Sequence, residues 1–345
     1  MTEQPSRPVQ GPPDSEAAEA RAHGTPQQGA PGGVAGVVAI VGEPNVGKST
    51  LLNRVVGEKL AIVTPKPQTT RNRILGVWNG PQGQIVFVDT PGVHAARSAL
   101  GKYMVDEAYR ALEQVDAVLM VVDLSKSGAG GSRHLPRGAR KGSPVEAALL
   151  ERVKQAGKPA VLALNKVDQF KDKSKLFPVL EGWNETGAFS ALVPISATKD
   201  KHLDGLVSEL LKLLPEGPPL YDPDTLTDRT ERFLVGELVR EQVFLQLYQE
   251  LPFSTGVEID SWQERPDKGD VVISATIVVE RESQKAIVVG RAGAVIRDIG
   301  KAARQEATQL LGRPAHLKLF VKVSRDWTES REGLGQLGYA PESDR

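Results

Sequence analysis

Cysteine is absent from all 345 residues, which excludes disulfides, thiolate metal sites and a thiol nucleophile, and suits a reducing compartment. Histidine is sparse: the five are scattered along the chain, so no histidine cluster with metal-ligand spacing exists. No apolar run approaches the roughly 18 residues of a membrane-spanning helix, and the N-terminus has no basic-then-apolar leader pattern. An excess of one charge is also missing. Forty-three basic residues balance forty-three acidic ones, so a nucleic-acid or membrane partner would have to be met by a local patch. A soluble, cytoplasmic protein is expected.

Apolar residues first organise at Val37. Residues 1–36 hold six Pro and six Gly among small polar residues, too little apolar surface to offset the entropy of ordering, and are expected to be a disordered tail. Beyond them VVAIVG, ILGVWN, QIVFVD, AVLMVVD, AVLALNK and ALVPIS read as strands. Between most of these lie segments with apolar residues at three- and four-residue spacing, which predicts an α/β domain over 37–215, a mostly parallel sheet with helices on both faces. The short NGPQG turn at 79–83 predicts one antiparallel edge strand. A basic, glycine-rich insertion, 126–143, follows the AVLMVVD strand; a surface loop is the plainer reading and a nucleic-acid contact the lesser one. The Pro- and Asp-rich stretch 216–228 reads as a linker. Over 229–328 the order helix, two strands, two helices across a glycine break, and a strand predicts a second, α+β domain, with 329–345 left as a C-terminal tail.

GEPNVGKS, 42–49, sits between the first strand and a helix. In that setting Gly42, Glu43, Pro44, Asn45, Val46 and Gly47 form a phosphate loop, Lys48 neutralises the outer phosphates and Ser49 offers an oxygen to Mg²⁺. Asp89 ends the strand QIVFV, where a Walker-B carboxylate holds Mg²⁺ through water, and Thr90, Pro91, Gly92 and Val93 follow. The Gly92 N–H can meet a γ-phosphate, so 89–103 is expected to be a switch. In QTTRN, 68–72, Thr69 or Thr70 can reach the metal only when the γ-phosphate is present. Asn165, Lys166, Val167 and Asp168 end AVLAL, where a carboxylate can accept two bonds from guanine, and adenine offers no such donor pair. Ile195, Ser196 and Ala197 end the next strand; there the Ala197 N–H can meet guanine O6. The expected ligands are GTP or GDP with Mg²⁺, and hydrolysis is expected to fall to Lys48, Thr69, Thr70 and Gly92.

In the second domain Gly290, Arg291, Ala292 and Gly293 join two helical segments so that backbone and a cation can approach single-stranded RNA, with Lys285 adding charge and Ile287, Val289 and Ile296 offering apolar contact to bases. Residues 281–325 hold ten Lys or Arg against three Asp or Glu, a concentrated positive charge in a neutral chain.

Together GEPNVGKS, QTTRN, DTPG, NKVD and ISA resemble the signature of translation-factor-class GTPases, and QKAIVVGRAGAVIRDIGKAARQEATQLLGRPAHLKLFVKVSRDW resembles the type II KH domain that closes the Era family of bacterial ribosome-assembly GTPases. The resemblance covers about residues 37–328. It implies a P-loop GTPase whose KH domain grips the 3′ region of 16S rRNA on the small ribosomal subunit, under control of the nucleotide, acting as a monomer. At Asn45 it implies a position that helps hold K⁺ in cation-stimulated relatives. Three features depart from the family pattern: the N-terminal tail, the insertion 126–143, and GRAG where GKGG is commoner. Val93 stands where Ras-like enzymes carry the water-orienting glutamine, which predicts slow intrinsic turnover; His94 reads as an exposed loop residue rather than a base. Two other readings compete: a GTPase with another RNA client, and a GTP-gated scaffold touching the cytoplasmic face of the inner membrane.

Overall fold

A computed structural model describes residues 33–94, 96, 98–125, 144–169, 174 and 176–339. Most of the expected tail and the insertion 126–143 lie outside the described residues.

The first domain runs β1 (Val34–Val41), α1 (Lys48–Val56), β2 (Ile74–Gly80), β3 (Gly83–Asp89), α2 (Ala99–Glu113), β4 (Ala117–Asp123), α3 (Pro144–Ala156), β5 (Ala160–Asn165), α4 (Leu176–Asn184), β6 (Ala191–Pro194) and α5 (Leu203–Leu211). Its six strands lie in the order β2-β3-β1-β4-β5-β6. All pairings are parallel except β2 with β3, which closes the expected hairpin from Ile74↔Asp89 to Gly80↔Gly83. All seven residues of β4 are buried, because helices cover both faces of the sheet. One face packs Leu51 and Leu52 of α1 with Leu206 and Leu210 of α5. The other packs Ala108 and Leu112 of α2, Leu149 and Val153 of α3, and Trp183 of α4.

The second domain runs α6 (Glu231–Gln246), β7 (Gly256–Arg265), β8 (Asp270–Val279), α7 (Glu282–Val289), α8 (Ala294–Leu311) and β9 (Ala315–Val323), followed by α9 (Arg331–Gln336). Thr230 caps α6 by accepting the Phe233 N–H at 3.2 Å. The sheet order is β7-β8-β9, antiparallel then parallel, the type II KH arrangement. Val271, Ile273, Ala275 and Ile277 alternate along β8 and are fully buried, and that half-buried face receives the helices.

Three segments differ from the sequence expectation. Val34, Ala35 and Gly36, counted with the tail, begin β1: Val34 pairs with Gly83, and the Ala35 N–H donates to Pro215 O at 3.1 Å. Backbone pairing holds these small residues, so they leave no hydropathy signal. The 216–228 linker is strapped along β2 and β3. Gln84 Oε1 accepts the Leu220 and Tyr221 N–H groups at 2.7 and 2.9 Å, and the Val77 N–H donates to Leu226 O at 2.9 Å, which covers a free sheet edge. The C-terminal tail is ordered through Tyr339. Ser330 caps α9, and Trp327, Leu334 and Tyr339 pack with Leu100 and Met104 of α2 and Val278 of β8, joining the two domains.

Candidate functional site

The phosphate loop ends where α1 begins. Gly47, at its N-cap, has φ of 101°, and a Cβ there would lie 2.3 Å from Asn165 Nδ2, so only glycine fits. Gly47 offers no side-chain cap to α1, leaving its first N–H groups for an anion. Lys48 is buried and folds back on the loop, donating to the Gly42 and Glu43 carbonyls at 3.1 and 2.9 Å. Burial pushes its ammonium down to about 8, a shift the charges of Asp89 and Glu43 oppose. Asn45 reaches across the opening, its Nδ2 donating to Pro65 O at 2.9 Å. Lys48, Ser49, Thr64, Gln68, Thr70 and Gly92 border an open cavity.

Three oxygens converge beside Lys48. Ser49 Oγ lies 2.8 Å from Thr70 Oγ1 and donates to Asp89 Oδ2 at 2.7 Å; Thr70 Oγ1 is 3.5 Å from the same carboxylate oxygen. Burial pushes Asp89 up to about 6, against the pull of Lys48 and the two hydroxyls. Its Oδ1 is buried and, among the described residues, has no hydrogen-bond partner. An orphaned carboxylate oxygen among hydroxyls is a hard-oxygen donor set, and these residues fit Mg²⁺. Of the two candidate threonines, Thr70 is the one brought to this cluster. Thr69 is engaged elsewhere, 2.6 Å from Thr64 Oγ1 and donating to Lys66 O at 2.7 Å.

After Asp89 the chain lies tight against the phosphate loop. Thr90 donates to Ile40 O at 2.7 Å, deep in the sheet. A Cβ at Gly92 would meet Pro44 at 2.8 Å. The Val93 side chain is buried in the core, and its N–H donates to Gly42 O at 3.2 Å. His94 departs from the expected exposed histidine: it is half-buried, with Nδ1 2.9 Å from Gly92 O and Nε2 2.9 Å from Gln68 Nε2. It ties the two segments that border the cavity.

At the base end Asn165 organises the strand ends. Its Nδ2 donates to Val46 O at 2.7 Å, and its Oδ1 accepts the N–H groups of Lys166 and Ala197 at 2.8 and 3.0 Å. The Ala197 N–H expected to meet guanine O6 is therefore engaged by Asn165 in this structure. Ile195, Ala197 and Val46 put their side chains into the apolar core, and Ser196 is buried, so only backbone atoms of this group face a ligand. Val167 is half-buried at the start of a single 3₁₀ turn, and Asp168 is exposed beside it. Lys166 donates to Asn45 O at 2.8 Å and pairs with Asp123 Oδ2 at 2.6 Å. Asp123, the buried last residue of β4, escaped the sequence reading. Its signal is the same as that of Asp89, an acid ending a buried parallel strand.

The GxxG turn brings Gly290, Ala292 and Gly293 to φ of 71°, 50° and 73° between α7 and α8. A groove opens beyond it between α8 and β9, lined by Gly293 and Ile296 with Arg297, Lys301, Arg304 and two leucines. Of the expected contacts, only Gly293 and Ile296 line this groove. Lys285 and Val289 are half-buried on α7, Ile287 is 56 % exposed there, and Arg291 and Ala292 are exposed in the turn. Arg297, Lys301 and Arg304 were missed, although their spacing places them on one helix face.

The two halves define a class: a GTPase of the P-loop type, binding GTP and GDP, followed by a KH domain. A family model described as 50S ribosome-binding GTPase matches residues 37–166, and a KH-domain model matches residues 250–328. GTPase Era of Geobacter metallireducens is 45% identical over 304 residues, spanning 88% of this chain and 97% of that protein. GTPase Era of Xylella fastidiosa strain M12 is 45% identical over 305 residues, with the same coverage. Among solved structures, a point variant of Aquifex aeolicus Era bound to GDP·AlF4⁻ superposes with a TM-score of 0.81 at 39% identity, covering 89% of this chain and all of the other. Era in complex with MgGDPNP and nucleotides 1506–1542 of 16S ribosomal RNA gives 0.82 at 38%, covering 90% and 100%. The chain belongs to the Era family of GTPases.

Proposed function

We propose that this chain is a Mg²⁺-dependent, GTP-controlled switch that binds the 3′ region of 16S rRNA through its KH domain and acts in assembly of the small ribosomal subunit. The carrying observation is the groove that follows the GxxG turn, lined by Arg297, Lys301 and Arg304 together with Ile296, Leu317 and Leu319. Cations along one wall track a phosphate backbone, and an apolar floor accepts splayed bases. The similarity to Era held with that RNA segment supports the choice of client.

In this reading the α1 N-terminus and Lys48 hold the phosphates, Asp168 accepts from guanine, and Ser49, Thr70 and Asp89 would hold Mg²⁺. The ion supplies charge neutralisation at the phosphate oxygens during hydrolysis. Val93 is buried and cannot orient a water, so turnover without an activator is slow. Asn45, which bridges the loop to Pro65 O, is the residue through which K⁺ would act; equal single-turnover rates in potassium and sodium would remove that part. The site acts from a single chain in the cytoplasm.

The test is binding of an RNA spanning the 16S 3′ end, with tRNA and anionic vesicles as competitors, to protein loaded with GDP or a non-hydrolysable GTP analogue. Preference for the ribosomal segment, strengthened by the triphosphate, is expected. Equal binding of tRNA, stronger binding to vesicles, or indifference to the nucleotide would overturn the reading.

A further inference from the structure

The second domain holds the segment that joins α1 to β2 through contacts at Lys59, Val63, Lys66 and Arg71. Lys59 Nζ pairs with Glu241 on α6 at 2.6 Å and Glu306 on α8 at 2.5 Å. The Val63 N–H donates to Glu241 Oε1 at 2.8 Å. Lys66 donates to the carbonyls of Phe244 and Leu247 at the end of α6. Arg71, 1% exposed, is the deepest anchor. Its guanidinium donates to the carbonyls of Thr255, Phe253 and Pro252 at 2.8, 2.9 and 3.2 Å. The rings of Phe244, Trp327 and Tyr339 surround it with centroids 5.7, 5.8 and 5.6 Å away.

Thr70 is the neighbour of Arg71, so their Cα atoms are fixed about 3.8 Å apart. One residue faces the Ser49–Asp89 cluster while the next is locked in the other domain. Gln68, two residues before Thr70, has φ of 59°, a left-handed conformation that a non-glycine residue keeps only where its surroundings impose it. First-domain contacts hold one side of this segment, Asn45 to Pro65 O and His94 to Gln68, and the second domain holds it on both flanks of Gln68, at Lys66 and Arg71. A planar guanidinium can serve three carbonyls and present its face to aromatic rings at once; a lysine ammonium cannot.

We propose that Arg71 is a positioning residue for GTP hydrolysis: seated in the cage of carbonyls and rings that the second domain and the C-terminal extension build, it sets Thr70 at the metal cluster only while the two domains are docked. The proposal rests on the reading of Thr70 as part of the Mg²⁺ site. It makes the C-terminal extension a component of the GTPase centre, through a residue that touches no nucleotide.

The test compares Arg71→Lys, Tyr339→Ala and Thr70→Ala in the full chain. It reads GDP affinity, the Mg²⁺ concentration for half-saturation with a GTP analogue, the single-turnover rate, and amide exchange over residues 64–73 without nucleotide. The two cage variants are expected to slow single turnover roughly 10- to 100-fold, as a displacement near 1 Å can. They also raise the Mg²⁺ requirement and speed amide exchange, while GDP affinity stays within about twofold because Thr70 serves the triphosphate state. A Thr70→Ala defect with both cage variants unaffected would overturn the proposal and spare the metal-site reading. A uniform loss of GDP and GTP-analogue affinity in the cage variants would also overturn it, marking a role in folding alone. Wild-type Mg²⁺ dependence in Thr70→Ala would remove the metal-site reading and the proposal together.

Discussion

Lys59 and Glu306, 247 residues apart in sequence, meet with their charged atoms 2.5 Å apart. Glu306 lies on α8, the helix that starts at the GxxG turn, and Lys59 opens the segment leading to Thr70. The side of α8 that lines the groove beyond the turn and the side that touches the GTPase domain thus belong to one helix.

The two acids that share Lys59 differ in worth. Glu306 is 29% exposed at its side chain and Glu241 only 3%. Burial raises the Glu241 carboxyl, against the pull of Lys59 and the Val63 N–H. Glu306→Ala is expected to cost under about 1 kcal/mol, as partly exposed pairs do. Glu241→Ala leaves the Val63 N–H without its acceptor and Lys59 with Glu306 alone, and about 1–3 kcal/mol is expected. Urea unfolding of the two variants checks the order.

Asp168→Asn tests the choice of base. The carboxylate accepts two donors from guanine, and an amide replaces one acceptor with a donor. Loss of that charge-assisted pair is expected to weaken GDP binding by about 2–4 kcal/mol, roughly 30- to 1000-fold, and to favour xanthosine diphosphate, whose 2-oxo group accepts what the amide donates. Competition between the two nucleotides on wild type and variant measures it.

The strands, the phosphate loop and the NKVD end were legible because each is written within about ten consecutive residues, as a run of buried apolar side chains closed by the polar group it presents. Thr70 was not separable from Thr69 by sequence, since the choice depends on Ser49 and Asp89 arriving from other elements. His94 read as a loop residue because its partner Gln68 lies beyond β2 and β3. The packing of Trp327, Leu334 and Tyr339 was invisible for another reason: α9 has six residues, too few to show a period, and its apolar partners Leu100 and Met104 sit more than 200 positions away.

Lys48 and Asp89 carry opposite shifts from one cause, burial. The folded state holds the Asp89 proton more tightly than the unfolded chain does, so stability declines as pH rises from 3.8 to about 6 and is level above that. For Lys48 the folded state releases its proton early, so the cost is full below about 8 and is relieved as pH rises toward 10.5. At neutral pH both charges stand, and under the proposed function phosphate with Mg²⁺ would compensate both. The rise in thermal midpoint given by Mg²⁺ and GDP is expected to grow between pH 5 and 7 with an inflection near 6. In Asp89→Asn only the inflection of the phosphate itself should remain. Thermal scans across that range, with and without ligand, decide it.

Charge and apolar contact in the KH groove can be separated by salt. Arg297, Lys301 and Arg304 occupy one face of α8 beside Ile296, so an RNA strand lying there meets cations and hydrocarbon within a single turn or two of helix. Each phosphate a cation neutralises releases counterion, and for single strands the slope of log affinity against log salt falls by about 0.7 per contact. Lys301→Ala and Arg304→Ala are each expected to weaken binding of a single-stranded RNA and flatten that slope by about this amount. Ile296→Ala removes only the surface on which a base rests, so it should weaken binding at every salt concentration by a similar factor and leave the slope intact. Anisotropy titrations from low to high salt distinguish the two behaviours. If the slope stayed unchanged in both cation variants, the phosphates would run elsewhere, and the exposed Arg291 of the turn would become the contact to examine.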